Sequence, residues 1–357
     1  MGCMARRVCA AAHMRRRAAY AAPHFSGGGP RMERGACAGI HPRYRRHLQE
    51  PRMTHHRPPS TAALGEGAIH PIVPRENLQF RLDDPDIPVY WMGGDAFQSR
   101  FWDALSVIFP PGERFFMDCV RDYREQVKDP GLLQDIKNFT RQEAQHSMVH
   151  RQDNDRLRRQ GVNVGALTAY VDDMLNKRYR AKHGRAYNLA ITAALEHFTS
   201  IIAHSLFDQR DVMRQGDPRV RAMYAWHAIE EVEHKAVAYD VMQGQARVGY
   251  LKRAVAMVHA TFLFPKTIFV IQRRLMIHDG FSLRQRMGLM LKGLWWLFKP
   301  GGLLQPMLRY YWTYYKPGYH PWQETRQPGY ERWLQAFGAS GDPVHASERT
   351  RADLGLA

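Results

Sequence analysis

Glu143 and His146 stand three positions apart, and Glu231 and His234 repeat that spacing. On a helix, residues three apart share a face, so each pair can offer a carboxylate and an imidazole to one point. Those are donors for a divalent cation: the carboxylate brings charge and the neutral imidazole a nitrogen lone pair. One Glu-x-x-His means little in a chain with 18 histidines. Two of them, each preceded by a helical segment with a single inward carboxylate, mean more. The preceding carboxylates are Glu113, ahead of Glu143, and Glu196, ahead of Glu231. Glu196 is the only acid between Asn188 and Phe207, a stretch dominated by Ala, Leu, Ile, Thr and Phe. Buried there, it needs a cation or a proton. Glu113 follows Pro110-Pro111-Gly112 at a helix start, where acids also occur simply because of the helix dipole.

The neighbours of these pairs carry further expectations. Within Glu230, Glu231, Val232, Glu233 and His234, the three-residue relation selects Glu231, leaves Glu230 as the alternative and turns Glu233 outward. His227 lies one turn before Glu231 and His150 one turn after His146, so either could add an imidazole, His227 with the stronger case. His197 is expected to support the site from outside it. The set Glu113, Glu143, His146, Glu196, Glu231 and His234 predicts two metal ions. Iron suits such oxygen and nitrogen donors first, with manganese and zinc as alternatives.

Six such side chains must be delivered to one depth by long elements. Apolar residues recur at helical period almost throughout, and no alternating β-branched run is long enough for a sheet. A proline-punctuated extended lead-in covers about 77–91, followed by a short helix over 95–108 and a second from Pro110 to Lys128. Asp129-Pro130 is an N-cap followed by proline at the first helical position, starting a helix that runs to Gln160. A connecting helix over 165–182 leads to one over 186–210, and Asp217-Pro218 repeats the start signal for a helix to Gln243. Segments 247–277 and 282–315 are helical, more aromatic, and interrupted by Pro265 and Pro300-Gly301-Gly302. The last forty residues have loop composition. The order of single Glu, Glu-x-x-His, crossover, single Glu, Glu-x-x-His predicts an all-α fold: a ferritin-like four-helix bundle with a crossover helix and additional C-terminal helices. In domain boundaries this gives an arm over 1–70, a metal-binding bundle over 75–245, apolar and aromatic helices over 246–325, and a tail over 326–357.

Charge and cysteine content narrow the function classes. The formal charge is +17, but residues 1–60 hold twelve arginines against Glu33 and Glu50 and so account for +10 of it. No nucleic-acid-binding module is present, and nucleic acid is not an expected partner. The arm is rich in Arg, Ala, Gly and Pro without an apolar period, which reads as disorder. An organelle transit peptide and an over-extended gene start, with Met32 and Met53 as later starts, fit the same composition. Its opening Met-Gly-Cys carries Arg6 where an acylation signal wants Ser or Thr. Only Cys119 lies in the body, so no disulfide framework is expected and a cytoplasmic location is the default. Residues 254–315 mix apolar and aromatic side chains with Lys292, Lys299 and Arg309. These helices are expected either to pack on the bundle or to lie at a membrane interface and admit a lipid-like substrate. His259, Pro265 and Lys266 leave no clean crossing span of about twenty apolar residues.

Five separated segments carry a family resemblance. Phe109-Pro-Pro-Gly-Glu-Arg-Phe-Phe116, Gln142-Glu-Ala-Gln-His146, Leu195-Glu-His-Phe-Thr199, Trp226-His-Ala-Ile-Glu-Glu-Val-Glu-His-Lys-Ala-Val237 and Pro317-Gly-Tyr-His-Pro-Trp322 resemble, in this order, a bacterial family of predicted metal-dependent hydrolases. The resemblance spans roughly 75–325. The spacing of His227, Glu231 and His234 is locally similar to the p-aminobenzoate N-oxygenases, which are di-iron enzymes. A carboxylate-rich donor set departs from the three-ligand zinc sites usual in hydrolases. The expectation drawn from these features is an O2-dependent oxygenase or oxidase acting on an apolar small molecule or lipid. The alternative is hydrolysis through metal-activated water, as the resembled family implies, and the second alternative is a non-catalytic metal-binding bundle.

Overall fold

Both aspartate–proline pairs start helices, as their chemistry requires. Asp129 accepts a hydrogen bond from the Leu132 amide at 2.7 Å and opens α2, Pro130–Arg159. Asp217 accepts from the Arg219 amide at 3.0 Å and opens α6, Pro218–His234. These are the two Glu-x-x-His helices. The computed structural model describes residues 71–207, 212–323 and 328–356; the arm over 1–70 lies outside them.

The helices that precede them differ from expectation in one instructive way. The helices anticipated over 95–108 and 110–128 are one continuous helix, α1, Ala96–Arg121, with Pro110 and Pro111 inside it. Proline in a helix deprives the carbonyl four residues back of its donor. For Pro110 that carbonyl belongs to Ser106, and Asn154 Nδ2 of α2 donates to it at 3.0 Å. The Pro111 carbonyl in turn accepts from Asn176 Nδ2 at 3.0 Å. Asn176 lies in a π-helical stretch, Asp173–Tyr179, that follows α3, Val164–Asp172, and leads into the short α4, Arg180–Lys182. A side chain of α2 thus satisfies the carbonyl that Pro110 leaves without its donor, and α1 continues through the pair.

The fourth long helix of the set is α5, Arg185–Phe207. α1 packs on α2, α2 on α6, α6 on α5 and α5 on α1, closing a ring of four helices. The segment from α3 to α4 crosses between α2 and α5 and lies against α1. The helix expected to reach Gln243 breaks directly after His234. Lys235 and Ala236 form a turn before α7, Val237–Gly244. There the Lys235 ammonium sits 5.1 Å from the Trp322 ring centre, and Ala236 packs with the same ring.

Downstream, α8 (Tyr250–His278) packs on α1 and α5. α9 (Leu283–Phe298) packs on α1, and α10 (Met307–Thr313) packs on α5. The glycine-rich interruption at Pro300-Gly301-Gly302 separates the last two. The closing residues, expected as loop, form α11, Pro328–Ser340, and α12, Pro343–Asp353, with α12 seated on α6. Asp342, whose carboxylate accepts from the Val344 and His345 amides ahead of Pro343, is the start signal that the composition concealed. By length and composition α8 is apolar enough to cross a membrane, which corrects the expectation that no such stretch exists. Its inner side, including Met257, Phe264, Ile268 and Ile271, closes the core. The fold is all-α: among the described residues the only β pairing is one isolated bridge, Met92 with Gly216.

Candidate metal centre

Three groups of buried donors converge within the ring. Glu143, Glu196 and His234 form one, Glu143, His146 and Glu231 a second, and Glu113, His146 and His227 a third. In each, one donor atom per residue lies within 4.8 Å of the others. His234 Nε2 stands 3.5 Å from Glu143 Oε1, 3.4 Å from Glu196 Oε2 and 3.5 Å from Glu231 Oε1. His146 Nδ1 stands 3.6 Å from Glu143 Oε2 and 3.8 Å from Glu231 Oε1. The carboxylates of Glu143 and Glu231 therefore lie between the two imidazoles, each near both. All six sequence-selected residues, Glu113, Glu143, His146, Glu196, Glu231 and His234, are brought together and buried.

The test of whether these residues fit a metal is what else satisfies them. Both oxygens of Glu143, both of Glu196, Oε1 of Glu113, Oε2 of Glu231, both nitrogens of His146 and Nε2 of His234 are buried without a hydrogen bond. Native interiors leave few such groups, and clusters of them mark a missing ion or strain. Here the unpaired atoms are all cation donors facing one another, so the residues fit a metal. Surrounding side chains hold them in place. Gln142 Oε1 accepts from His234 Nδ1 at 3.0 Å while Gln142 Nε2 donates to Glu233 Oε2 at 2.8 Å, which leaves the His234 Nε2 lone pair aimed at the carboxylates. Ser147 donates to Glu113 Oε2 at 2.6 Å, leaving Oε1 unengaged.

The additional histidines separate cleanly. His150 is not in any donor group: its Nδ1 pairs with Ser106 Oγ at 2.9 Å and its Nε2 with His227 Nδ1 at 2.8 Å. Both its ring nitrogens are thus engaged by neighbouring side chains. His227 Nε2 reaches Glu231 Oε1 at 3.0 Å, so a chain Ser106, His150, His227 ends on Glu231. His197 is tied to the Tyr310 carbonyl at 3.1 Å and the Tyr319 hydroxyl at 3.0 Å, outside the cluster.

Glu233 does not point outward. It is fully buried, paired with Arg75 Nη2 at 2.7 Å, and accepts from the Tyr330 hydroxyl at 2.9 Å. Glu230 is joined to Arg75 Nη1 at 3.2 Å, and its other oxygen lies 3.2 Å from His146 Nε2. The physical reason is that the lead-in segment covers this face of α6 and supplies a cation to it. Arg75 is the residue that sequence reasoning missed, because nothing local in the lead-in marks its partner 158 positions away.

Electrostatics follow from burial. Loss of water raises the Glu113, Glu143 and Glu196 carboxyls above the usual carboxylate range, with neighbouring carboxylates adding to it in all three. Burial pushes Glu230 up to about 8 in spite of Arg75. Burial would lower His234, but Glu231 and Glu196 raise it well above the ordinary imidazole value. Burial would raise Glu231, but the charge of His234 and the hydrogen bond from His227 hold it well below. Without metal, a proton on His234 thus stands where a cation would. The sign for stability is set by the majority: groups raised on folding stabilise below their unfolded values and lose that contribution as pH rises through the folded ones. Metal-free protein is therefore expected to melt at lower temperature as pH rises from about 6.5 to about 8, above the range in which His146 and His150, lowered by burial, act in the opposite sense. Metal-loaded protein should show the opposite slope, since binding needs the deprotonated donors. Parallel slopes with and without metal, measured by calorimetry, would contradict the site.

One cavity meets the cluster. It is lined by Ile108, Phe109, Phe116, Leu195, Phe264 and further apolar side chains, and Glu113 is the acid in its wall. The π-helical stretch contributes Met174 and Leu175 to the lining. A surface depression beside α12 touches none of the donors.

A protein family described as predicted metal-dependent hydrolase matches residues 74–325. No curated protein and no solved structure matches the chain. The family's description overturns the expectation of an O2-dependent oxygenase or oxidase. That expectation rested on the carboxylate-rich donor set and a local histidine spacing, and a donor set constrains the metal more than it constrains the reaction.

Proposed function

We propose, from the premise that this chain belongs to the family of predicted metal-dependent hydrolases, that its buried cluster holds two metal ions and hydrolyses an ester or amide of an apolar small molecule. The observation that carries this reading is the set of unpaired buried carboxylate and imidazole atoms facing one another at the end of an apolar cavity. Two ions rather than one are supported by Glu143 and Glu231, each of which lies near both imidazoles. Glu113 and His146 would complete one ion's ligands and Glu196 and His234 the other's, in a ferritin-like arrangement. Oxygen and imidazole donors without a thiolate suit iron first, then manganese or zinc.

Such ions, when bound, supply Lewis-acid activation of water and of the scissile carbonyl. The chain's own residues do the rest. Phe109, Phe116, Leu195 and Phe264 bind an apolar group and exclude bulk water from the cluster. Ser147 fixes Glu113 through Oε2 and leaves Oε1 as the atom that would hold an ion at the inner end of the cavity. Gln142 fixes the His234 ring, and the chain from Ser106 through His150 and His227 fixes Glu231.

Full-length protein stripped with a chelator and reloaded with iron, manganese or zinc should hydrolyse p-nitrophenyl esters without oxygen. Activity should require the metal and rise with acyl chain length as the cavity fills. If no metal-loaded form turns over any ester or amide faster than the stripped protein does, the hydrolytic reading is lost. A non-catalytic metal-binding bundle would then be left.

A further inference from the structure

Charge in the body of the chain is concentrated. Residues 246–323 contain twelve Lys and Arg against a single acid, Asp279, so this segment is +11 while the rest of the chain beyond residue 60 sums to −4. Asp279 is itself bound by Arg100 at 2.7 Å. The same segment exposes its apolar side chains. On α8, Leu251, Val255, Val258 and Phe262 follow at helical spacing, and Lys266 continues the row. On α9, Leu283, Met287, Leu291, Leu294 and Phe298 do the same, and α10 adds Leu308 and Trp312. Leu251 is 74% exposed, Phe262 70%, Trp295 66% and Trp312 64%, values far from those of side chains packed on a core. Lys252, Lys266, Lys292 and Arg309 are exposed beside them.

These rows cannot be tucked inward by rolling the helices. α9 is seated by Gly293, where a Cβ would lie 2.2 Å from the Phe97 ring, and α8 closes the core with its opposite side. A water-facing surface of this kind is unusual for a soluble monomer and marks a binding surface. Its sign selects the occupant. A second copy would bring an equally cationic face against it, and residues 1–60, at +10, are repelled in the same way. Apolar side chains interleaved with Lys, Arg, Trp and Tyr, and free of acids, match the boundary between acyl chains and anionic headgroups.

We infer that the outer faces of α8, α9 and α10 dock this protein on an anionic lipid bilayer. This inference uses no property of the metal centre, so a failure of hydrolysis leaves it untouched.

The test is flotation of full-length protein with vesicles of phosphatidylcholine alone or with one-third phosphatidylglycerol. Binding is expected to the anionic vesicles, at least tenfold above the neutral ones, and to weaken as salt is raised. The arginine-rich arm could bind the same vesicles, so the deciding comparison keeps it in place. Phe262→Ser, Trp295→Ser and Trp312→Ser together should lower binding about tenfold or more. In the unaltered protein, brominated lipid should quench tryptophan fluorescence in the anionic vesicles. Undiminished flotation of the triple variant would assign the binding to the arm and overturn the inference. So would the absence of bromolipid quenching, or a concentration-dependent dimer in lipid-free solution that the triple substitution dissolves.

Discussion

Glutamine at Glu143 or at Glu231 should strip the protein of most of its metal and lower turnover by about a thousandfold. Each carboxylate lies between His146 and His234, so losing its charge weakens both halves of the cluster at once. The amide keeps the volume but places an N–H donor where a lone pair is required. The two variants should then part company in metal-free protein. Glu143 is raised by burial and by Glu196, so neutralising it removes a strained charge and should stabilise the stripped fold. Glu231 is the anion that His234 leans on, so neutralising it leaves a buried imidazolium short of a partner and should destabilise the stripped fold. Each change is expected at about 1–3 kcal/mol, in opposite directions. Elemental analysis and urea unfolding read both effects. Parent-level metal in both variants would remove these residues from the ligand set.

Arg75→Ala should cost about 3–5 kcal/mol of folding stability, because it leaves Glu230 and Glu233 buried without their cation. The loss should shrink when Glu233→Gln is added, since an amide needs no counter-charge, whereas a simple packing defect would not be relieved. Tyr330→Phe, which removes one hydrogen bond to Glu233, should cost about 1 kcal/mol. The same carboxylate orients Gln142, and Gln142 orients His234. Arg75→Ala should therefore also weaken metal binding by about 10–100-fold, read by competition with a fluorescent chelator. A variant that unfolds like the parent and holds metal equally well would mean that the ion pairs on α6 are incidental.

The positions that were legible from sequence are those whose partners are local. The relation between Glu143 and His146, or between Glu231 and His234, is one helical turn and can be read from spacing alone. Asp129 and Asp217 cap their own first turns. What could not be read depends on distant partners. Pro110 looks like a helix end until Asn154, forty-odd residues away, is found on the Ser106 carbonyl. Glu233 looks like a solvated face until Arg75 and Tyr330 arrive from opposite ends of the chain. His150 reads as one more candidate imidazole, and its ties to Ser106 and His227 are visible only in the fold. The reaction class lay outside the donor geometry altogether and came from the family to which residues 74–325 belong.

The break after His234 and the late position of Tyr330 set an order of events during synthesis. Every donor residue has left the ribosome once α6 has emerged, but Tyr330, which helps hold Glu233 in place, follows 96 residues later. The nascent chain thus passes through a stage with all its donor residues made and one support of the surrounding carboxylates still to come. Ion capture is expected in that interval, while the cluster can still exchange with the surrounding solution. Adding metal after release should fill the site more slowly than supplying it during translation.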